Sequence, residues 1–317
     1  MIKLLKDIFT IDKHPRKGLM PLEWVVLGYL ILTSLLILFT YTELEFPLEM
    51  LKGRGRVVVM TLALWIVYRL VPCRFTLMFR VLGQMALLSW WYPDTYDLNR
   101  IFPNLDHVFA TTEQSIFGYQ PALAFCKEFP SAFFSELMDM GYASYYPMIA
   151  VVCLFYFFCR YEEFEKCSFI ILTSFFIYYI IYVFLPVTGP TFYFKAVGID
   201  NIAQGIFPNV RDYFKTHLEC FPSPGDSKGL FYQLVEGAKA AGERPTAAFP
   251  SSHVGISTIC MVLAWRSGSR KLFYLLLPFF ILLCFSTVYI QAHYAIDASA
   301  GLFTGLLLWY LLDKIKI

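Results

Sequence analysis

Phe249-Pro250-Ser251-Ser252-His253 stands at the head of an apolar run that continues to Trp265, and His293-Tyr294-Ala295-Ile296-Asp297 stands at the head of another about forty residues later. Burying a serine, histidine or aspartate at the edge of an apolar segment costs free energy unless the group has partners, so polar clusters in such places mark function. Ser251 and Ser252 follow a proline and precede the run, the position of a helix N-cap. Free backbone N–H groups and the positive end of the helix dipole hold anions such as phosphate there. His253 then lies beside the anion. His293 and Asp297, four apart, share a face if both are helical; the carboxylate can accept a hydrogen bond from one ring nitrogen and leave the other free to attack. Alone, each cluster reads as a plain cap or a surface pair. Together, on one side of a membrane, they read as a phosphoryl site.

The chain around them is that of a membrane protein. Hydrophobic residues make up 58% of it, aromatics 19% and charged residues only 16%, which excludes an ordinary soluble domain. A net charge of +2, with no basic tract interleaved with aromatics, excludes a nucleic-acid partner. The expected fold is an all-α integral membrane protein of about eight transmembrane helices, at 22–41, 57–72, 75–91, 146–160, 167–185, 253–264, 272–291 and 296–312. Residues 43–56 read as a polar turn and 161–166 as a tight charged hairpin. Trp90, Trp91 and Tyr92 read as an aromatic belt. Arg80 and Gln84, at i,i+4, either line a polar pathway or join helices. Three regions follow: 1–92, a basic tail and the first transmembrane helices; 93–145, an amphipathic segment of interfacial helices on the outer face, with Phe109, Phe117, Phe125, Phe133 and Phe134 towards lipid or core; and 146–317, a catalytic helix bundle with a lid at 187–249.

Alternation of the spans returns both polar clusters and the turn at 186–195 to one face. The opposite face collects Lys and Arg in short segments: Lys3, Lys6, Lys13, Arg16 and Lys17 in the tail, then Arg69, Arg74, Arg80, Arg160, Lys166, Arg266, Arg270, Lys271, Lys314 and Lys316. By the positive-inside rule that face is cytoplasmic, and the site is extracytoplasmic, periplasmic or lumenal. Six cysteines fall in spans or near the cytoplasmic face. Cys126 and Cys220 fall in outer segments, where a disulfide is chemically permitted. No Cys or His spacing suggests zinc.

Pro250-Ser251-Ser252-His253 and His293-Tyr294-x-x-Asp297 resemble the second and third signature motifs of the type 2 phosphatidic acid phosphatase superfamily. The wording of the third is closest to the inositol phosphorylceramide synthase-like branch. Leu105-Asp106, Phe117-Gly118, Pro121 and the stretch 186–190 extend the resemblance, which spans about residues 93–310. Two departures suit that branch: Ser286 is followed by Thr287 where Ser-Arg often opens the third motif, and Arg244-Pro245 has Gly237 seven residues before the arginine in place of the first motif's lysine. The resemblance implies that His293 attacks phosphorus and forms a phosphohistidine, that Asp297 orients it, and that His253 protonates the leaving group and then activates the acceptor. Ser251, Ser252 and nearby N–H groups meet the phosphate's charge, with Lys195 and Arg244 as candidate cations. No metal and no cofactor is expected. The substrate is a phospholipid and the acceptor a lipid alcohol or water, so the chain reads as a headgroup phosphotransferase or a lipid phosphatase. A lipid transporter, which needs ionisable groups at mid-span and inverted repeats, fits less well.

Overall fold

In a computed structural model, residues 7–246 and 248–317 are described, and among them the chain is built from helices with no strand element. Lys3 and Lys6, part of the basic tail, lie outside the described residues.

The first four helices, α1 (Pro21–Phe39), α2 (Pro47–Leu70), α3 (Arg74–Ala86) and α4 (Leu88–Asn99), are joined by two buried ion pairs. Arg80 of α3 meets Glu23 at the start of α1, Nε to Oε1 2.8 Å and Nη2 to Oε2 2.5 Å, with both side chains fully buried. Arg54 of α2 meets Asp94 of α4 through both guanidinium ends, at 3.0 and 2.7 Å, and also donates to Thr33 of α1 at 3.1 Å. Bidentate geometry and added neutral partners are what make a buried charge tolerable. Gln84 donates to Thr61 at 2.9 Å, so Arg80 and Gln84 join helices and line no pathway. Trp91 is no part of an interfacial belt. It is fully buried, edge-on to Tyr29 at 5.0 Å with the Arg54 guanidinium 5.5 Å from its ring.

Three short helices follow, α5 (Asp106–Phe117), α6 (Pro121–Glu128) and α7 (Ala132–Ala143), then α8 (Tyr145–Cys159) and α9 (Tyr161–Phe184). The long connection after α9 contains α10 (Pro190–Val197), α11 (Ile199–Ala203), a 3-10 turn at Tyr213–Lys215 and α12 (Leu230–Gly242), which packs on α7. Glu136 of α7 receives the N–H groups of Phe231 and Tyr232 at 2.7 and 3.2 Å and so fixes the start of α12. The chain ends in α13 (Ser252–Arg266), α14 (Arg270–Tyr289) and α15 (Ala295–Asp313).

Four helices are long and apolar enough to cross a bilayer: α1, α9, α14 and α15. There are five crossings if α7 and α8, bent by 41° at their junction, make one. The other helices at the eight expected spans do not reach that length and apolarity, for physical reasons. The helix α2 carries Arg54, Arg56 and Arg69. The run at 75–91 is broken at Leu87 into two helices. Helices α8 and α13 have 15 residues each, about 22 Å against roughly 30 Å of hydrocarbon. The polar turn at 43–56 is also corrected, because Pro47 at the first helical position starts α2 there. The hairpin at 161–166 is the first turn and a half of α9, the chain turning at Arg160. Cys126 and Cys220 are free thiols, and Cys126 lies in α6.

Helix α13 is sheathed by α8, α9, α14 and α15. Its contact with α15 is glycine-lined: a Cβ on Gly301 would collide with the Ser251 carbonyl, and one on Gly305 with the Gly255 carbonyl. Small residues let two backbones touch, the packing that membrane helices use most. Both helices start at the same end, so this seam sets the two polar clusters side by side.

Candidate active site

Three segments meet at the starts of α13 and α15. The turn after α9 is held by Ala248 N–H to Val187 O, 2.8 Å, and by Thr191 N–H to Gln291 O, 2.7 Å. Gly189 sits at φ +89°, a conformation that favours glycine, and a Cβ there would strike the Ala292 carbonyl. Ser251 N–H donates to Asp297 O at 3.0 Å.

Ser251 caps α13 as its position in the sequence indicates, its Oγ accepting from Val254 N at 3.3 Å. The Ser252 N–H goes to the Tyr182 hydroxyl at 3.0 Å, and that hydroxyl donates to Pro250 O at 2.8 Å. Gly255 N–H returns to Ser251 O at 2.9 Å. Among the described residues the first-turn amide left without a protein partner is that of His253, so fewer N–H groups are free at this helix start than the sequence implies.

The rings of His253 and His293 lie 5.7 Å apart at 64°, so both ring edges can reach one phosphoryl group. His293 is buried, 3% exposed. Its Nδ1 bonds the Ala248 carbonyl at 2.8 Å, while the nearest Asp297 oxygen stands at 3.7 Å. The direct anchor is therefore a carbonyl, which can only accept; this fixes the proton on Nδ1 and leaves Nε2 with its lone pair. Asp297 stands beyond hydrogen-bond distance of the ring. One of its oxygens accepts Tyr294 N–H at 2.9 Å and the other, buried, has no partner among the described residues. His293 and Asp297 do not share a helical face: α15 begins at Ala295, Tyr294 is its N-cap, and His293 precedes it. His253 lies between Tyr142, stacked at 4.6 Å, and Tyr145, at 4.3 Å. Its Nδ1 is buried and unpartnered among the described residues.

Two buried carboxylates of α5, seven residues apart and so on one face, brace the His293 segment. Asp106 accepts Thr188 N–H at 2.7 Å, Thr188 Oγ1 at 2.9 Å, Gly189 N–H at 2.9 Å, Asn104 Nδ2 at 2.6 Å and the Tyr294 hydroxyl at 3.1 Å. Burial pushes its carboxyl up to about 6 against the pull of those donors. Glu113 Oε1 accepts the N–H groups of Ala295, at 2.5 Å, and Ile296, at 3.2 Å, the first turn of α15. Burial raises its carboxyl to about 8. Glu113 and Tyr182 escape a reading by motif because each is a single residue inside an unremarkable helix. Their signal is spacing alone, Glu113 one heptad after Asp106.

The two candidate cations fall differently. Lys195 is exposed, with its Nζ on the Cys220 carbonyl at 3.0 Å, and no described contact brings it to either histidine. Arg244 is half-buried, its Nη1 on the Glu243 carbonyl at 2.9 Å. Glu243, at the end of α12, feels both Lys239 and His293; burial nonetheless raises its carboxyl above the usual range. No described contact brings Arg244 to either histidine; it acts instead on Tyr96 and Asp97 of α4.

A family model described as the PAP2 superfamily matches residues 106–311. That range takes in Asp106, Glu113, Tyr182, both histidines and Asp297. No curated protein and no solved structure matches the chain.

Proposed function

The chain belongs to the PAP2 superfamily, and on that premise we propose that it transfers a phosphoryl group from a membrane phospholipid through a phosphohistidine at His293. The observation that carries this reading is the His293 ring itself: Nδ1 anchored on Ala248 O, Nε2 free, and the His253 ring 5.7 Å away. In the first half-reaction His293 Nε2 forms a bond to phosphorus as the P–O bond to the leaving group breaks, and His253 gives that oxygen a proton. In the second, His253 takes a proton from the acceptor hydroxyl, whose oxygen displaces Nε2. Asp297, buried 3.7 Å from Nδ1, stabilises the imidazolium character that develops on His293. In this reading the free His253 N–H at the start of α13 meets the phosphate's charge; Arg244 and Lys195 join it only if the long connection shifts.

The acceptor in this reading is a lipid alcohol, making the protein a headgroup phosphotransferase of inositol phosphorylceramide synthase type. A buried nucleophile and an acid–base histidine walled by Tyr142 and Tyr145 disfavour free access of water, and the Ser286-Thr287 pair agrees with that branch. Phosphatase action on lipid phosphates is the second reading, supported by the family at large. The Lys and Arg distribution supports a site on the extracytoplasmic face of a multi-pass membrane protein. The test is product partition: purified protein with labelled phospholipids, with and without ceramide or diacylglycerol. With a headgroup-bearing donor the His293 intermediate keeps the headgroup, so the transferase reading expects a new phosphodiester that grows with added lipid alcohol at the expense of the soluble headgroup phosphate that water would release. A product ratio indifferent to the alcohol rejects it in favour of the phosphatase.

A further inference from the structure

A groove of about 530 Å³ opens between α14 and α15. Its upper wall is Val288, Ala295 and Val254, and its lower wall Cys284, Phe285 and Leu302; α6 closes the top. Val254 directly follows His253, and Ala295 opens the helix whose preceding link carries His293. From Ala295 to Leu302 the groove descends about 10 Å along α15. Both flanking helices are of membrane-crossing length and apolarity, so the medium against the open side is hydrocarbon, and Phe285 on the rim is 57% exposed to it. A larger groove of about 610 Å³ lies among α3, α8 and α9, but no residue from either histidine segment lines it.

We propose that the groove between α14 and α15 seats one acyl chain of the phospholipid substrate and draws its phosphate up to His293 and His253. The inference rests on the proposed function and deepens it: the substrate enters sideways from the bilayer, and part of its binding energy comes from its chain. An apolar slot of this volume with a few polar groups at its head has the size and character of a lipid site.

The experiment compares kcat/KM for the long-chain and short-chain forms of two substrates, phosphatidylinositol with ceramide as acceptor and phosphatidic acid with water, on the full chain in detergent micelles, for wild type and for Ala298→Phe, which places a ring in the groove. Loss of two buried methylenes corresponds to about a tenfold effect, so the long-to-short ratio is expected to fall about tenfold. A ratio within about twofold of wild type in a folded variant overturns the proposal, the groove then holding only bulk lipid. If Ala298→Phe does not fold, Ser299→Phe, at an exposed position lining the same groove, gives the same readout. Wild-type protein inactive on both substrates would overturn the phosphoryl-transfer reading along with the groove. Activity on either with an unmoved ratio overturns the groove alone.

Discussion

Replacing Glu113 separates its service as a hydrogen-bond acceptor from its charge. Its Oε1 holds the two leading amides of α15 at 2.5 and 3.2 Å, and the link bearing His293 runs straight into that turn. Glu113→Ala removes both bonds and leaves two N–H groups buried. At about 1 kcal/mol each, the loss is about 2 kcal/mol. If it is felt wholly in the placement of His293, kcat falls about thirtyfold with KM little changed. Glu113→Gln keeps an acceptor oxygen and should stay within about threefold of wild type. Initial rates on a labelled phospholipid, with circular dichroism as a check on folding, decide the matter. A folded Glu113→Ala enzyme with wild-type kcat, or a Gln variant as slow as the Ala one, would refute the clamp. Because the folded carboxyl titrates near 8 against an ordinary 4.5, the protonated form is the one the fold holds. Stability from this group is complete below about 4.5 and is lost as pH rises towards 8. Wild type should weaken relative to Glu113→Gln across that window, and parallel denaturation curves would contradict the assignment.

Tyr182→Phe deletes a hydroxyl that both accepts from Ser252 N and donates to Pro250 O; about 1 to 2 kcal/mol of stability should go, read as a lower denaturation midpoint, with a loss of kcat. Asp106→Asn sets an amide NH2 among N–H and O–H donors and should cost about 3 kcal/mol, with Asp106→Ala no better; a neutral effect would mean that the five bonds are not jointly made. His253→Ala should be severely slowed on a poor leaving group and partly rescued on a very good one; equal losses on both would remove its acid role. Activity should survive chelation and be inhibited by vanadate, which mimics five-coordinate phosphorus at His293; loss in EDTA with recovery in magnesium would show that a metal takes part.

The polar starts of α13 and α15 were legible because Ser, His and Asp stand out against hydrocarbon, and their convergence followed from the alternation of the spans. The register at His293 was not. Four-residue spacing reads as one helical face, but a cap at Tyr294 puts His293 outside the helix, and the carbonyl that anchors it belongs to Ala248, a residue without a distinguishing side chain. Backbone partners leave no trace in a sequence. The span count is poorly legible for a related reason: α13 is apolar because α8, α9, α14 and α15 cover it, so hydropathy cannot tell a short helix packed in protein from one crossing lipid. Arg54 read as a charge in a polar turn, and Arg80 as either pathway or helix joint, because their partners, Asp94 and Glu23, lie 40 and 57 positions away.

The central claim is that phosphorus is carried on His293. Rapid quenching of wild-type protein with a phospholipid labelled in its phosphate, followed by peptide mapping, tests it most directly. The expected result is an acid-labile, base-stable phosphoryl group on His293 that forms within one turnover, disappears when a lipid alcohol is added, and is absent from His293→Asn. Label on another residue, or turnover by His293→Asn at the wild-type rate, would contradict the account.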